Sequence, residues 1–117
     1  MEIKKVVVGE DEYIFVNTSR STRNGFAHDT VLTKNGFEIG RHTVHYINRT
    51  WESYQYQTVM GSLIWNIIDE RAKTFLGVIR AETPSHRLSK HRKEQLMQEF
   101  LCRNDIIELH ELRQALK

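Results

Sequence analysis

Residues 48–68, NRTWESYQYQTVMGSLIWNII, separate a strand-like N-terminal half from a helix-rich C-terminal half. With Thr50 as N-cap the helix begins at Trp51, and its apolar residues can be set on a wheel. Tyr56, Met60, Leu63, Ile64, Ile67 and Ile68 share one broad face, while Glu52, Gln55, Ser62, Asn66, Asp69 and Glu70 lie opposite. This is the pattern of a helix laid on a core. The segment carries both tryptophans, Trp51 and Trp65; Trp65 flanks the apolar face, and Trp51 stands at the mouth of the helix.

Working outward, the 117 residues suffice for one domain, 1–117, with one modest core. Apolar content of 39% and charged content of 27% argue against both disorder and a membrane span. No apolar run approaches the roughly 20 residues that a spanning helix needs. Met1 to Lys5 leads straight into Val6-Val7-Val8, too short a lead for a signal peptide, and Cys102 is the lone cysteine. Both features predict a cytoplasmic protein with no membrane partner.

Ile3 to Val8 and Tyr13 to Thr18 are β-rich runs on either side of Gly9-Glu10-Asp11-Glu12, which predicts a hairpin. Ser19 to Gly25, SRSTRNG, reads as an exposed loop. His28 to Lys34 and Phe37 to Ile47 flank Asn35-Gly36, the strongest hairpin signal in the chain. The central helix runs to about Arg80, and Glu82-Thr83-Pro84-Ser85 ends it. Ser89 caps a second helix to about Arg103, with Leu96, Met97, Phe100 and Leu101 inward. Asp105 and Glu108 read as a capping box for a last helix striped by Ile106, Leu109, Leu112 and Leu116. The expected fold is α+β: an N-terminal four-stranded antiparallel meander covered by a long central helix, then two shorter helices.

A two-residue Asn35-Gly36 loop opposes Lys34 to Phe37. Regular pairing outward then places His28 opposite Thr43 and Asp29 opposite His42. His45 falls on the face of His28 and diagonal to it. Two such imidazoles can share a zinc ion, with Cys102 or His110 as further ligands if the helices fold back. The competing reading is a pair of partly buried histidines bonded to backbone or hydroxyl groups. A one-residue register change would separate the pair, because it moves every side chain to the other face. Cys102, beside Leu101, reads as packing, and no local spacing assembles a nucleophile with a base, so a non-enzymatic protein is expected.

Charge is concentrated rather than large. The formal net charge is +2, yet residues 71–93 hold seven Lys and Arg against Glu82 alone. Residues 94–117 reverse the balance, three basic against five acidic. Arg80, Arg87, Lys90, Arg92 and Lys93 are therefore candidates for contact with an anionic partner, nucleic acid included. Arg20, Arg23, Arg41 and Arg49 form a second candidate cluster around the loop and the mouth of the sheet, with Trp51 at the start of the central helix beside it. The ordinary alternative for each is a solvated face.

STRNGFAHD at 21–29, HYINRTWESY at 45–54 with YQTVM at 56–60, and RLSKHRKE at 87–94 resemble a group of small proteins carried by phages and mobile elements of Gram-positive bacteria. The resemblance covers roughly residues 20 to 95 and brings no enzymatic activity or catalytic residue with it. Members of the group often carry a cysteine just before the histidine matched by His45; here that residue is Val44. The resemblance implies a protein that binds a host macromolecule inside the host cell. Most concretely it implies an inhibitor of a host defence nuclease of the anti-CRISPR kind, with a type II CRISPR nuclease as partner. Many such inhibitors mimic DNA with an acidic surface. The mild basicity of this chain points instead to a protein or guide-RNA surface, and the alternative is a basic nucleic-acid-binding accessory protein.

Overall fold

In the computed structural model, which describes residues 1–46, 53–82 and 89–116, four strands precede three helices. β1 (Glu2–Val8), β2 (Asp11–Thr22), β3 (Gly25–Lys34) and β4 (Phe37–Tyr46) form one antiparallel sheet in the order β1-β2-β3-β4. α1 (Ser53–Glu82), α2 (Lys90–Leu101) and α3 (Asn104–Ala115) follow. The expected α+β meander with a long covering helix is the fold observed. Thr50, Trp51, Arg49 and Arg87 lie outside the described residues, as do the side chains of Tyr56 and Arg80.

Each turn follows from its sequence. Val8 pairs with Asp11 around Gly9-Glu10, and Gly9 has φ +62°. Asn35 (φ 50°) and Gly36 (φ 87°) both occupy the left-handed region that a two-residue hairpin loop requires. Asn35 also joins the two turns at this end of the sheet. Its side-chain oxygen accepts from the Glu12 amide at 2.8 Å, and its side-chain nitrogen donates to Asp11 at 2.8 Å. The expected loop over Ser19–Gly25 is mostly strand: Ser19 to Thr22 continue β2 against Gly25 to His28 of β3. Only Arg23-Asn24 remain as the turn. Pairing to a neighbouring strand satisfies the backbone there, which outweighs the polar composition that suggested a loop.

The register of the last hairpin departs from the regular one. Lys34 pairs with Phe37 as expected, but Thr33 pairs with Glu38 and Leu32 with Gly40. Ile39 is the extra residue of a β-bulge, and it packs against the core. Beyond it every β4 residue is shifted by one. His28 faces Val44 rather than Thr43, Asp29 faces Thr43 rather than His42, and His45 faces Ala27.

One sheet face is covered. Val8, Tyr13, Phe15 and Leu32 meet Met60, Leu63, Ile64, Ile67 and Ile68 of α1 and Ile106, Leu109 and Leu112 of α3. α1 lies over β4 and β3, and α3 packs against β1 and α1. Ser89 caps α2 as expected, accepting from the Arg92 amide at 3.1 Å. Of the four residues expected inward on α2, Leu96 and Phe100 are buried whereas Met97 and Leu101 are exposed. A helix packed along a single line buries a narrow stripe, and among the described residues α2 meets α3 and, through Phe100, Phe75 of α1. The expected capping box on α3 does not form. Arg103 is the N-cap, Asp105 lies in the first turn bonded to Arg103 and Arg71, and Glu108 reaches the sheet instead.

Gly40 sets the distance between α1 and the sheet. A Cβ there would lie 2.6 Å from Ile67 Cδ1, 2.8 Å from its Cγ1 and 3.3 Å from Leu63 Cδ1. Gly40→Ala is expected to destabilise the protein by about 1–3 kcal/mol through overpacking, read as a lower midpoint in urea unfolding. Gly61→Ala, whose added Cβ meets nothing within 4 Å, should stabilise α1 by up to about 1 kcal/mol in the same assay.

Candidate functional site

Polar side chains gather at one end of the covered face. Asn17, Thr30 and His28 are all buried, and register puts them on the same side of the sheet as Phe15 and Leu32. The Thr30 hydroxyl donates to Asn17 Oδ1 at 2.7 Å, and Asn17 Nδ2 donates to Met60 Sδ at 3.8 Å. Ser19 Oγ lies 3.1 Å from His28 Nδ1. Burial pushes the His28 pKa below the ordinary imidazole value, and Asp29 only partly counters it. Asp29 faces the other side of the sheet, where it accepts from Arg20 at 3.0 Å and from the Thr43 hydroxyl at 2.6 Å. The Thr43 bond, followed by Arg20, holds its carboxyl below the usual range. The serine–imidazole pair therefore has its nearest sequence carboxylate across the sheet, and its evident work is to satisfy polar atoms inside the core.

The shared face expected of His28 and His45 is corrected by the same register. His28 pairs with Val44, so the next residue, His45, points to the opposite face, and it is exposed. The two imidazoles do not share a site. Cys102 is exposed at the C-cap of α2, contrary to the packing role expected of it. His110 stands edge-on to Trp65 with ring centroids 5.5 Å apart, and Arg113 lies 4.6 Å from the Trp65 ring centre. Among the described residues no three His, Cys, Asp or Glu side chains are grouped to hold a metal ion.

The basic residues divide by element. Lys90, His91, Arg92 and Lys93 form the first turn of α2 and are all exposed. That turn contains no acidic residue, and Arg92 reaches Glu99 only at 4.0 Å. Cations at this end of a helix oppose the macrodipole, at a cost of about 0.3–1 kcal/mol each. Arg20 is committed to Asp29, whereas Arg23 is exposed in the β2–β3 turn.

Three arrangements lie outside those expected from the sequence. Tyr13 donates its hydroxyl to Glu108, which also lies 3.5 Å from Lys34 Nζ, and this joins β2 and β3 to α3. Burial, then Glu108, drives the Tyr13 pKa far above the ordinary phenol value. Arg71 and Arg103 grip Asp105 from two sides at 3.0 and 2.9 Å. They border a cleft of about 310 Å³ lined by Glu70, Arg71, Thr74, Phe75, Val78 and Arg103. Third, the sheet face on which no described helix packs carries Ile3, Val7, Ile14, Val16 and Val31. The unbroken apolar runs Val6-Val7-Val8 and Tyr13-Ile14-Phe15-Val16 were the available sign of it.

No helix among the described residues is long and apolar enough to cross a membrane. No family model, curated protein or solved structure matches the chain.

Two substitutions test this geometry. The folded protein resists protonating His28 while the unfolded chain takes up the proton near pH 6.5. The unfolded state then binds more protons, so stability falls as pH drops below that value. His28→Gln should flatten the pH dependence of unfolding free energy between about pH 5 and 7. Tyr13→Phe removes the hydroxyl from Glu108 and should cost about 1.5–3 kcal/mol in urea unfolding at neutral pH.

Proposed function

We propose that this chain is a non-enzymatic binding protein of a phage or mobile element. It acts in the host cytoplasm, most concretely as an inhibitor of a host defence nuclease of the type II CRISPR kind. It grips a protein lobe or guide-RNA surface and so prevents DNA loading or domain motion. The observation that carries this reading is the first turn of α2, where Lys90, Arg92 and Lys93 stand exposed together. Their placement costs the isolated helix stability, and an anionic partner surface offsets that cost. The resemblance of residues 20–95 to small phage proteins supplies the setting. A net charge of +2 disfavours acidic mimicry of DNA.

The same cations favour a second reading, a nucleic-acid-binding accessory protein. Phosphate contacts position such a protein without specifying sequence. The two readings separate by partner. An inhibitor is retained on a guide-loaded nuclease and protects an invading plasmid from cleavage. An accessory protein binds free RNA or DNA, and its affinity falls steeply as salt rises.

The triple charge reversal Lys90→Glu, Arg92→Glu and Lys93→Glu serves both. Acidic residues suit this end of the helix, so the variant should melt no lower than the wild type. Retention on the nuclease complex should be lost. If free nucleic acid is the ligand, the slope of log affinity against log salt should shrink by about 3. Unchanged retention together with an unchanged slope would rule out this surface.

A further inference from the structure

The sheet has two faces, and among the described residues the helices pack on only one. In an antiparallel sheet with one wet face, strands alternate apolar and polar residues, and near-continuous apolar runs belong to strands buried on both sides. Here Val6-Val7-Val8 and Tyr13-Ile14-Phe15-Val16 are continuous, and Val31 adjoins Leu32. Register sends Val6, Val8, Tyr13, Phe15 and Leu32 to the helices and Ile3, Val7, Ile14, Val16 and Val31 to the other face. Ile3, Val16 and Val31 lie directly in line across β1, β2 and β3. Ile3 is 59% exposed and Val7 62%. The strand sequences are those of a second buried layer, and among the described residues no helix packs on this face.

We infer that the uncovered face of the β1–β4 sheet packs against the same face of a second copy of the chain, giving a two-fold dimer with the helices outermost. The charges on the same face favour that occupant. The charged residues of the face are Lys5, Arg20 and Arg41 with Glu12, Asp29 and Glu38, three cations against three anions. They are already joined as Lys5–Glu12 at 3.0 Å, Arg20–Asp29 at 3.0 Å and Arg41–Glu38. A two-fold interface brings a surface against itself, so a patch with net charge would meet its own sign. This face is neutral and meets no such repulsion. The unequal charge of an acidic or basic partner would find nothing on it to answer.

The dimensions suffice. Four strands at about 4.8 Å and some seven residues at about 3.4 Å give a projected face of roughly 450 Å². Doubled over two partners, and larger still as corrugated accessible surface, this reaches the ~1,000 Å² at which specific interfaces begin. β-branched side chains on two facing sheets interdigitate at about 10 Å, as in a β-sandwich. The inference does not depend on the anionic partner of α2.

The test is sedimentation equilibrium on the full chain from low micromolar to a few hundred micromolar. The wild type is expected to move from the 13.9 kDa monomer toward twice that mass. Ile3→Lys with Val7→Lys should raise the dissociation constant at least about tenfold. Far-UV circular dichroism should be unchanged at concentrations where both proteins are monomeric. The triple reversal on α2 should leave the dissociation constant where it was. If the double variant does not fold, Val7→Ser alone should shift the equilibrium the same way. A wild type that stays monomeric throughout overturns the proposal, and so does a dimer indifferent to these substitutions.

Discussion

Phe15 and Leu32 stand opposite each other on β2 and β3, both wholly buried, and sealing that pair from water is the constraint on which the structure depends. Neither strand can do it, since an apolar sheet face is buried only when another layer packs on it. α1 supplies Leu63, Ile64 and Ile67 from one side, and α3 supplies Ile106, Leu109 and Leu112 from the other. Gly40 lets α1 descend far enough for the apolar layer to close. At the other flank Tyr13 turns its hydroxyl outward to Glu108, so the edge of the core is finished by a charge-assisted hydrogen bond. Two carboxylates on α3, Asp105 and Glu108, could have capped their own helix. Both are drawn instead to partners on other elements, Arg71 on α1 and Tyr13 on β2, where the contact ties the layers together.

One residue in β4 decides the arrangement of the histidines. Ile39 bulges inward to the core, and the strand beyond it is displaced by one position. With period-two alternation, a displacement of one exchanges faces. His28 stays inside with Asn17, Thr30 and Ser19, while His45 turns to the outer surface. Packing a further isoleucine against α1 thus takes precedence over the regular ladder, and a metal pair legible in the unbulged strand does not exist in the bulged one.

The two surfaces discussed for function differ in chemistry and need not compete. The α2 turn concentrates cations where the helix dipole makes them least comfortable. The outer sheet face sets β-branched apolar residues among three ion pairs that leave it neutral. Joined back to back through the sheet, two copies would carry two basic turns. A bivalent arrangement of that kind raises affinity for an extended partner without any new contact, provided the geometry spans both sites.

The sequence by itself determined the element types and their order. Asn35-Gly36 demands a hairpin because both residues must take positive φ. The spacing of Met60, Leu63, Ile64 and Ile67 demands a helix with one buried side, and Ser89 starts the next one. These are local matters of backbone sterics, periodicity and capping, which a short stretch settles alone. The basic α2 turn was legible for the same reason, since Lys90, Arg92 and Lys93 are neighbours in the chain. Only the tertiary structure decided that Ile39 bulges, that His28 and His45 part, that Asp105 and Glu108 leave their capping roles, and that among the described residues the helices pack on one sheet face alone. Each of these depends on what a residue meets from a distant element, and packing, unlike propensity, is a property of the pair.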